Sequence, residues 1–222
     1  MKRLGLAVIA SLLLIGASHA TEFKVDRVHS NVGFTVTHMT ISRVSGSFSD
    51  FSGTIVYDPA DTAIWAVEVT IQTKSVNTQN ENRDGHLRSA DFFDVENNPE
   101  IKFTFGKMME GTAEFADAMI DGQKWMAGNV VAKGNDRFDL HGLLSIRGVT
   151  KPVILHVEKT GMLEGPGANK RVGFSATTTV KRMDYGVSWS KTLDAGGLVV
   201  GDDVKVTLDI QAMYRDPAEQ KG

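Results

Sequence analysis

Ser30-Asn31-Val32-Gly33-Phe34-Thr35-Val36-Thr37-His38 alternates between two kinds of residue. Val32, Phe34, Val36 and His38 fall on one side of an extended chain, and Gly33, Thr35 and Thr37 on the other. Successive strand side chains point to opposite faces, so this period of two predicts a ribbon that is apolar on one face and polar on the other. The rhythm recurs at Trp65-Val67-Val69-Ile71, Ile101-Phe103-Phe105, Phe138-Leu140-Gly142-Leu144-Ile146 and Val153-Leu155-Val157. It returns at Val172-Phe174-Ala176-Thr178-Val180 and Val204-Val206-Leu208-Ile210. An all-β domain follows.

Turn chemistry separates the runs: Asp58-Pro59, Asn98-Pro99, Asp121-Gly122, Gly134-Asn135, Gly165-Pro166-Gly167 and Ala195-Gly196-Gly197. One segment breaks the pattern. Between Asn77 and Asp94 the chain is polar, with Leu87, Ala90 and Phe93 or Asp94 at helical spacing. A short helix is expected near Glu81–Ser89, lying over one end of the sheet and pointing Leu87, Phe92 and Phe93 inward. Many strands with one apolar face suit a sandwich or a closed barrel. The inward faces mix aromatics with Gly142, Ala176 and Thr178, which is compatible with an interior that is not full.

The first twenty residues set the expected location. Met1-Lys2-Arg3 is basic, Leu4 to Ile15 is almost wholly apolar, and Ser18-His19-Ala20 is a small-residue exit. That is the grammar of a cleaved signal peptide, and the apolar run is too short for roughly 30 Å of hydrocarbon. Residues 21–222 are then expected as one domain, exported to the periplasm. Without Lys2 and Arg3, the 24 basic side chains fall to 22 against 27 acidic ones, a net charge of −5. That balance gives no electrostatic footprint for nucleic acid. The chain has no cysteine, so its stability rests on packing rather than disulfides.

No catalytic motif is present: neither GxSxG, HExxH, a phosphate loop nor a dinucleotide fingerprint. His29, His38, His86, His141 and His156 show no metal spacing. Asn80-x-Asn82-x-Asp84-Gly85 with Asp91 approaches a calcium loop, but position one is Asn, position twelve is the short Asp, and a strand precedes it. No metal, cofactor or catalytic residue is expected. Arg182 and Asp184 read as an ion pair or a strand-end cap. Asp26, His29 and Ser30 read as side chains that tie one end of the barrel together.

Five ordered stretches resemble the YceI-like family of periplasmic polyisoprenoid-binding proteins. They are Asp26 to His38, Val44-Ser45-Gly46-Ser47-Phe48, Asn82 to Asp94, His141 to Val153, and the pair Lys181 to Gly186 and Val200 to Val204. The likeness runs from about Thr21 to Tyr214. Leu144 and Ser145 stand where Thr is common in the family, and Tyr185 where Phe is usual. The long, methionine-rich Glu110–Lys133 segment is a candidate for altering the barrel mouth. The resemblance implies an extended, lipocalin-like, eight-stranded antiparallel barrel around an apolar tunnel, with a polyprenyl or quinone-type lipid as ligand.

On that reading the lining would comprise Phe34, Val36, Val69, Ile71, Phe103, Phe105, Leu144, Phe174 and Trp189, with Phe92 and Phe93 at the helix end. His38 shares the Phe34 face and is the candidate headgroup contact. Taken singly, each residue is equally consistent with ordinary barrel core. A carrier or store for the lipid is the first functional expectation, without stable membrane insertion and with a homodimer compatible. An enzyme acting on an amphiphile in the same tunnel, or a mainly structural or stress-related envelope protein, are the alternatives.

Overall fold

The computed structural model describes residues 20–58, 63–107, 109–165, 169–192 and 198–215. The expected signal peptide, apart from Ala20, lies outside these residues, as do the turn residues Pro59, Pro166, Gly167, Ala195, Gly196 and Gly197 and the side chain of Trp65. Strands β1 (Thr21–Val25) and β2 (Asn31–His38) form one long stave, broken by a 3-10 turn at Arg27–His29. β3 (Ser42–Phe48) and β4 (Phe51–Asp58) return alongside it, and β5 (Ala63–Gln72) with the short β6 (Val76–Asn77) forms the third stave. Helix α1 (Glu81–Arg88) leads to β7 (Glu100–Gly106). An excursion then carries the two-residue strands β8 (Met119–Ile120) and β9 (Gln123–Lys124) before β10 (Val130–Gly134) turns into β11 (Arg137–Ile146). The series ends with β12 (Val149–Glu164), β13 (Lys170–Lys181) and β14 (Val200–Tyr214).

Neighbouring staves are antiparallel, and β14 closes the circle by pairing with β2 (Leu208 opposite Val32) and β1 (Lys24 opposite Met213). The result is an eight-staved antiparallel barrel with no open edge around its circumference, which answers the edge-strand problem by closure. Its two ends differ. One carries the Met39–Ile41 turn, the α1 segment, the Arg147–Gly148 turn and the Arg182–Tyr185 turn that follows β13. The other carries the termini of the described chain and the excursion between β7 and β11.

Period two placed the inward residues correctly along β2, β7, β11, β13 and β14. It slipped on β5. There the register shifts between Val56 and Tyr57, so Val56 pairs with Ala66 while Tyr57 pairs with Ile64. A bulge adds one residue and reverses the faces beyond it. Ile64, out of phase with Val67, Val69 and Ile71, therefore lines the interior with them.

The expected helix is present as α1. Its end is capped by Asn80, whose Oδ1 accepts from the Arg83 backbone N–H at 3.0 Å. Eight residues with Leu87 as their one large apolar side chain would not hold a helix in water by themselves. Buried Asp84 anchors it by accepting from the Thr78 N–H at 2.9 Å, and Arg88 donates to the Lys74 and Val76 carbonyls. Asp91 pairs with His86 at 2.8 Å, so Asn80, Asp84 and Asp91 of the near-calcium pattern serve separate structural contacts.

The methionine-rich excursion does not lie over the mouth, which corrects the sequence expectation. It folds against the outside of β11 and β12. Trp125 is 1% exposed there, packed with outward-facing Leu143 and Ile154 and with Phe115 and Ile120. The Trp125 Nε1–H donates to the Gly142 carbonyl at 3.2 Å. β11 is thereby buried on both faces, and the barrel acquires a small second core outside its wall.

Candidate ligand cavity

A cavity of about 230 Å³ lies along the barrel axis. Its wall is almost entirely aliphatic and aromatic. At the end away from α1 it is closed by inward side chains that do not front the space. Phe23, Tyr57, Phe105, Val172 and Ala212 are each 0–1% exposed. Phe174, the last ring on the wall, meets Tyr57 edge-on at 5.7 Å; Tyr57 in turn meets Phe23 at 6.1 Å, and Phe23 meets Tyr214 at 6.3 Å. These rings make a packed floor. The expected tunnel is a blind bore.

Midway along, inward side chains that a filled core would bury stay partly accessible: Val69, Leu144, Ile146, Val206, Leu208 and Ile210. Glycines on neighbouring strands keep this stretch open. Gly46 stands opposite Phe34, and a Cβ on Gly46 would overlap the Phe34 ring. A Cβ on Gly142 would likewise overlap the ring of Phe103. Both rings lie back over a neighbouring strand, into volume that any other residue would occupy, instead of reaching across the axis.

The α1 end is built from apolar side chains held by arginines. Leu87, Phe92 and Phe93 front the cavity, and Phe93 meets Phe48 at 5.8 Å. Arg147 donates to the carbonyls of Phe92 (2.6 Å), Ala90 (2.9 Å) and Gly186 (3.1 Å), fastening the segment after α1 to the β11–β12 turn. Among the described residues, Arg182 is the one charged residue on the cavity wall, 6% exposed. Its guanidinium donates to the carbonyls of Gly201, Val187, Trp189 and Val200 at 2.6–3.0 Å. Burial pushes it below its ordinary pKa, against the pull of Asp202.

Nine of the twelve expected lining residues front this space: Phe34, Val36, Val69, Ile71, Phe92, Phe93, Phe103, Leu144 and Phe174. Three do not. Phe105 belongs to the packed floor. Trp189 packs beside the α1 end, its ring 5.0 Å from His86 and 5.4 Å from Phe92. His38 is the last residue of β2, beyond Val36, where the chain turns through Met39 and Thr40 at positive φ. Of the two readings of Arg182, the strand-end cap holds: it caps carbonyls and, among the described residues, forms no ion pair with exposed Asp184. It follows Val172, Phe174, Ala176, Thr178 and Val180 in the same inward phase, which brings it to the cavity wall. Asp26, expected to tie one end of the barrel, instead ties the break between β1 and β2 to β14, part-way along the first stave: it accepts from the Val28 N–H (3.1 Å) and Gln211 (3.0 Å) and meets the His29 Nδ1 at 2.7 Å. The His29 hydrogen bond lowers its pKa.

Outside the wall, the excursion covers a polar cluster. Asp139, 2% exposed, lies 2.7 Å from the His156 Nδ1 and 3.1 Å from the Lys133 ammonium. Burial alone would raise its pKa, but the His156 and Lys133 hydrogen bonds outweigh it and hold the carboxyl low. Nearby His141 is 1% exposed; its Nδ1 accepts from the Met126 N–H at 3.1 Å. None of these residues fronts the axial cavity.

The description of a YceI-like domain matches residues 23–212. Protein YceI of Salmonella newport is 33% identical over 214 residues, which cover 96% of this chain and 97% of that protein. Among solved structures, a Campylobacter jejuni YCEI protein is 29% identical, covering 86% of this chain and 96% of its own, with a TM-score of 0.63. A polyisoprenoid binding domain from Saccharophagus degradans, implicated in plant cell wall breakdown, is 18% identical with a TM-score of 0.57, covering 89% of this chain and all of its own. That last likeness concerns the fold alone.

Proposed function

The chain belongs to the YceI-like family, and on that premise we propose that it is a periplasmic carrier or store that encloses the tail of a polyisoprenoid or similar long-chain lipid. The observation that carries this reading is the blind apolar bore, closed at its floor by aromatic rings and bounded at the other end by α1. A wall that is aliphatic and aromatic apart from Thr178 and Arg182, whose guanidinium is engaged by four carbonyls, favours hydrocarbon over a hydrogen-bonding solute. Eight-stranded barrels have a bore suited to one small ligand. Each buried methylene contributes about 0.8 kcal/mol, so a five-carbon isoprene unit offers about 4 kcal/mol. Association costs on the order of 4–15 kcal/mol, so a useful complex needs several units enclosed. The polyisoprenoid-binding domain of Saccharophagus degradans, alike in fold, supports the choice of ligand class.

Export fits the N-terminal sequence, whose basic start, apolar run and small-residue exit have the form of a signal peptide. The test is organic extraction of the purified protein followed by mass spectrometry. An intact prenyl lipid in stoichiometric amount is expected. Protein that yields no lipid and binds no prenyl probe overturns the carrier. A chemically altered lipid whose formation depends on a side chain of this protein would instead establish an enzyme.

A further inference from the structure

We propose that the aromatic floor is a ruler: Phe105, with Tyr57 behind Phe174, sets the length of chain that the bore accepts. The inference rests on the carrier reading and adds a specificity determinant to it. On six staves the inward residue at the α1-distant end leaves the cavity wall and becomes part of a packed layer. This holds for Phe23 below Val25, Tyr57 below Ile55, Phe105 below Phe103, Phe138 below Leu140, Val172 below Phe174 and Ala212 below Ile210. The change from accessible wall to close-packed floor is therefore shared by six of the eight staves and is not the work of one side chain.

A chain entering from the α1 end gains affinity with each unit it buries, on the order of a hundredfold per unit after ordering costs. Once its tip reaches Phe105 and Phe174, further units remain outside in water and add little. Affinity should climb with chain length and then level off. Protein interiors are packed too densely for the floor to yield room for a further unit. A shorter chain leaves empty space above the floor and forfeits contacts on that wall. The floor thus sets the shortest chain that reaches full affinity, without contacting a headgroup.

The position of the plateau is the readout. The full-length mature protein is titrated with farnesol, geranylgeraniol and longer all-trans polyprenols, in competition with a fluorescent prenyl probe. Phe105→Ala removes a ring from the floor and is expected to move the plateau to a chain one isoprene unit longer. Ala176→Leu, on the wall above Val172, fills the bottom of the bore and is expected to move it one unit shorter. If Phe105→Ala does not fold, the Ala176→Leu shift decides alone. Folded variants whose plateaus coincide with that of the unaltered protein overturn the ruler and leave the carrier standing. An unaltered protein that binds none of these alcohols overturns both.

Discussion

The ring of Phe103 occupies the place where a Cβ on Gly142 would stand, and the same missing atom would come within 2.8 Å of the Thr104 carbonyl. The pairing explains how a barrel rich in inward aromatics can remain hollow. A glycine on one strand lets the ring of a neighbour fold down against the wall, and Gly46 does the same for Phe34. Gly142→Ala is expected to cost about 1–3 kcal/mol, the usual penalty for forcing extra volume into a packed site, and to push the Phe103 ring toward the axis. Urea unfolding reads the first effect and loss of prenyl-probe affinity the second. The same substitution in a Phe103→Leu background should cost less, because the ring is gone. An equal cost in both backgrounds would assign the penalty to the Thr104 backbone alone.

Arg182 offers a second test. Four carbonyls from the residues around the β13–β14 connection converge on one guanidinium. Arg182→Leu keeps the cavity apolar but leaves those acceptors without their donor, at about 1–3 kcal/mol for each that stays buried. A loss of 3 kcal/mol or more is expected in urea unfolding. Arg182→Lys should recover little, since an ammonium cannot reproduce the planar fork. Full recovery by lysine would show that charge, not fork geometry, is what the site requires.

Which parts of this were legible in the sequence follows from what period two can and cannot encode. Alternation located the inward faces because each strand presents one apolar side to the bore. It could not reveal that Phe105 packs into a floor while Phe103, two residues earlier on the same face, fronts open space. That difference depends on what the other seven staves bring to the same depth. The bulge on β5, opposite Val56 and Tyr57, is invisible for a related reason: a one-residue slip of pairing leaves no mark on composition. The excursion was misplaced although a clue existed. His141, Leu143 and Ile154 sit in outward phase yet are not residues a wall exposes freely. An apolar pattern on both faces of a strand signals a second covering layer. His38 and Trp189 were placed by phase or by aromatic character alone, and neither property fixes depth along the axis.

Arg147 holds the segment that bounds the α1 end of the cavity through the carbonyls of Ala90 and Phe92. Arg147→Ala should release Phe92 and Phe93 while sparing the barrel, which closes without them. The expected outcome is faster dissociation of a bound prenyl probe, several-fold by stopped flow, with unfolding free energy lowered by about 1–2 kcal/mol. Faster hydrogen exchange at Phe93 and Asp94 should accompany it. Unchanged dissociation with increased exchange would move the exit path away from this segment.

The small core outside the barrel should respond to pH through His141. Burial holds its pKa below the ordinary value; Asp139 opposes that shift, and Lys133 and His156 add to it. The unfolded chain, with an ordinary histidine pKa of about 6.5, takes up the proton first as pH falls. The neutral ring's contribution is therefore whole above about pH 6.5 and is lost as pH drops through the lower folded value. Protonation also removes the Nδ1 lone pair that accepts from the Met126 N–H, so the excursion should loosen there first. Asp139 acts in a more acid window: its lowered pKa keeps its contribution whole above about pH 3.9 and loses it on further acidification. Protection of the Met126 amide against hydrogen exchange, corrected for intrinsic rate, should fall as pH drops below about 6.5, with Trp125 emission shifting red in parallel. His141→Gln retains an acceptor that does not titrate and should flatten both curves over that descent. If the two curves keep their slopes in His141→Gln, the titrating group lies elsewhere in the Asp139–His156–Lys133 cluster.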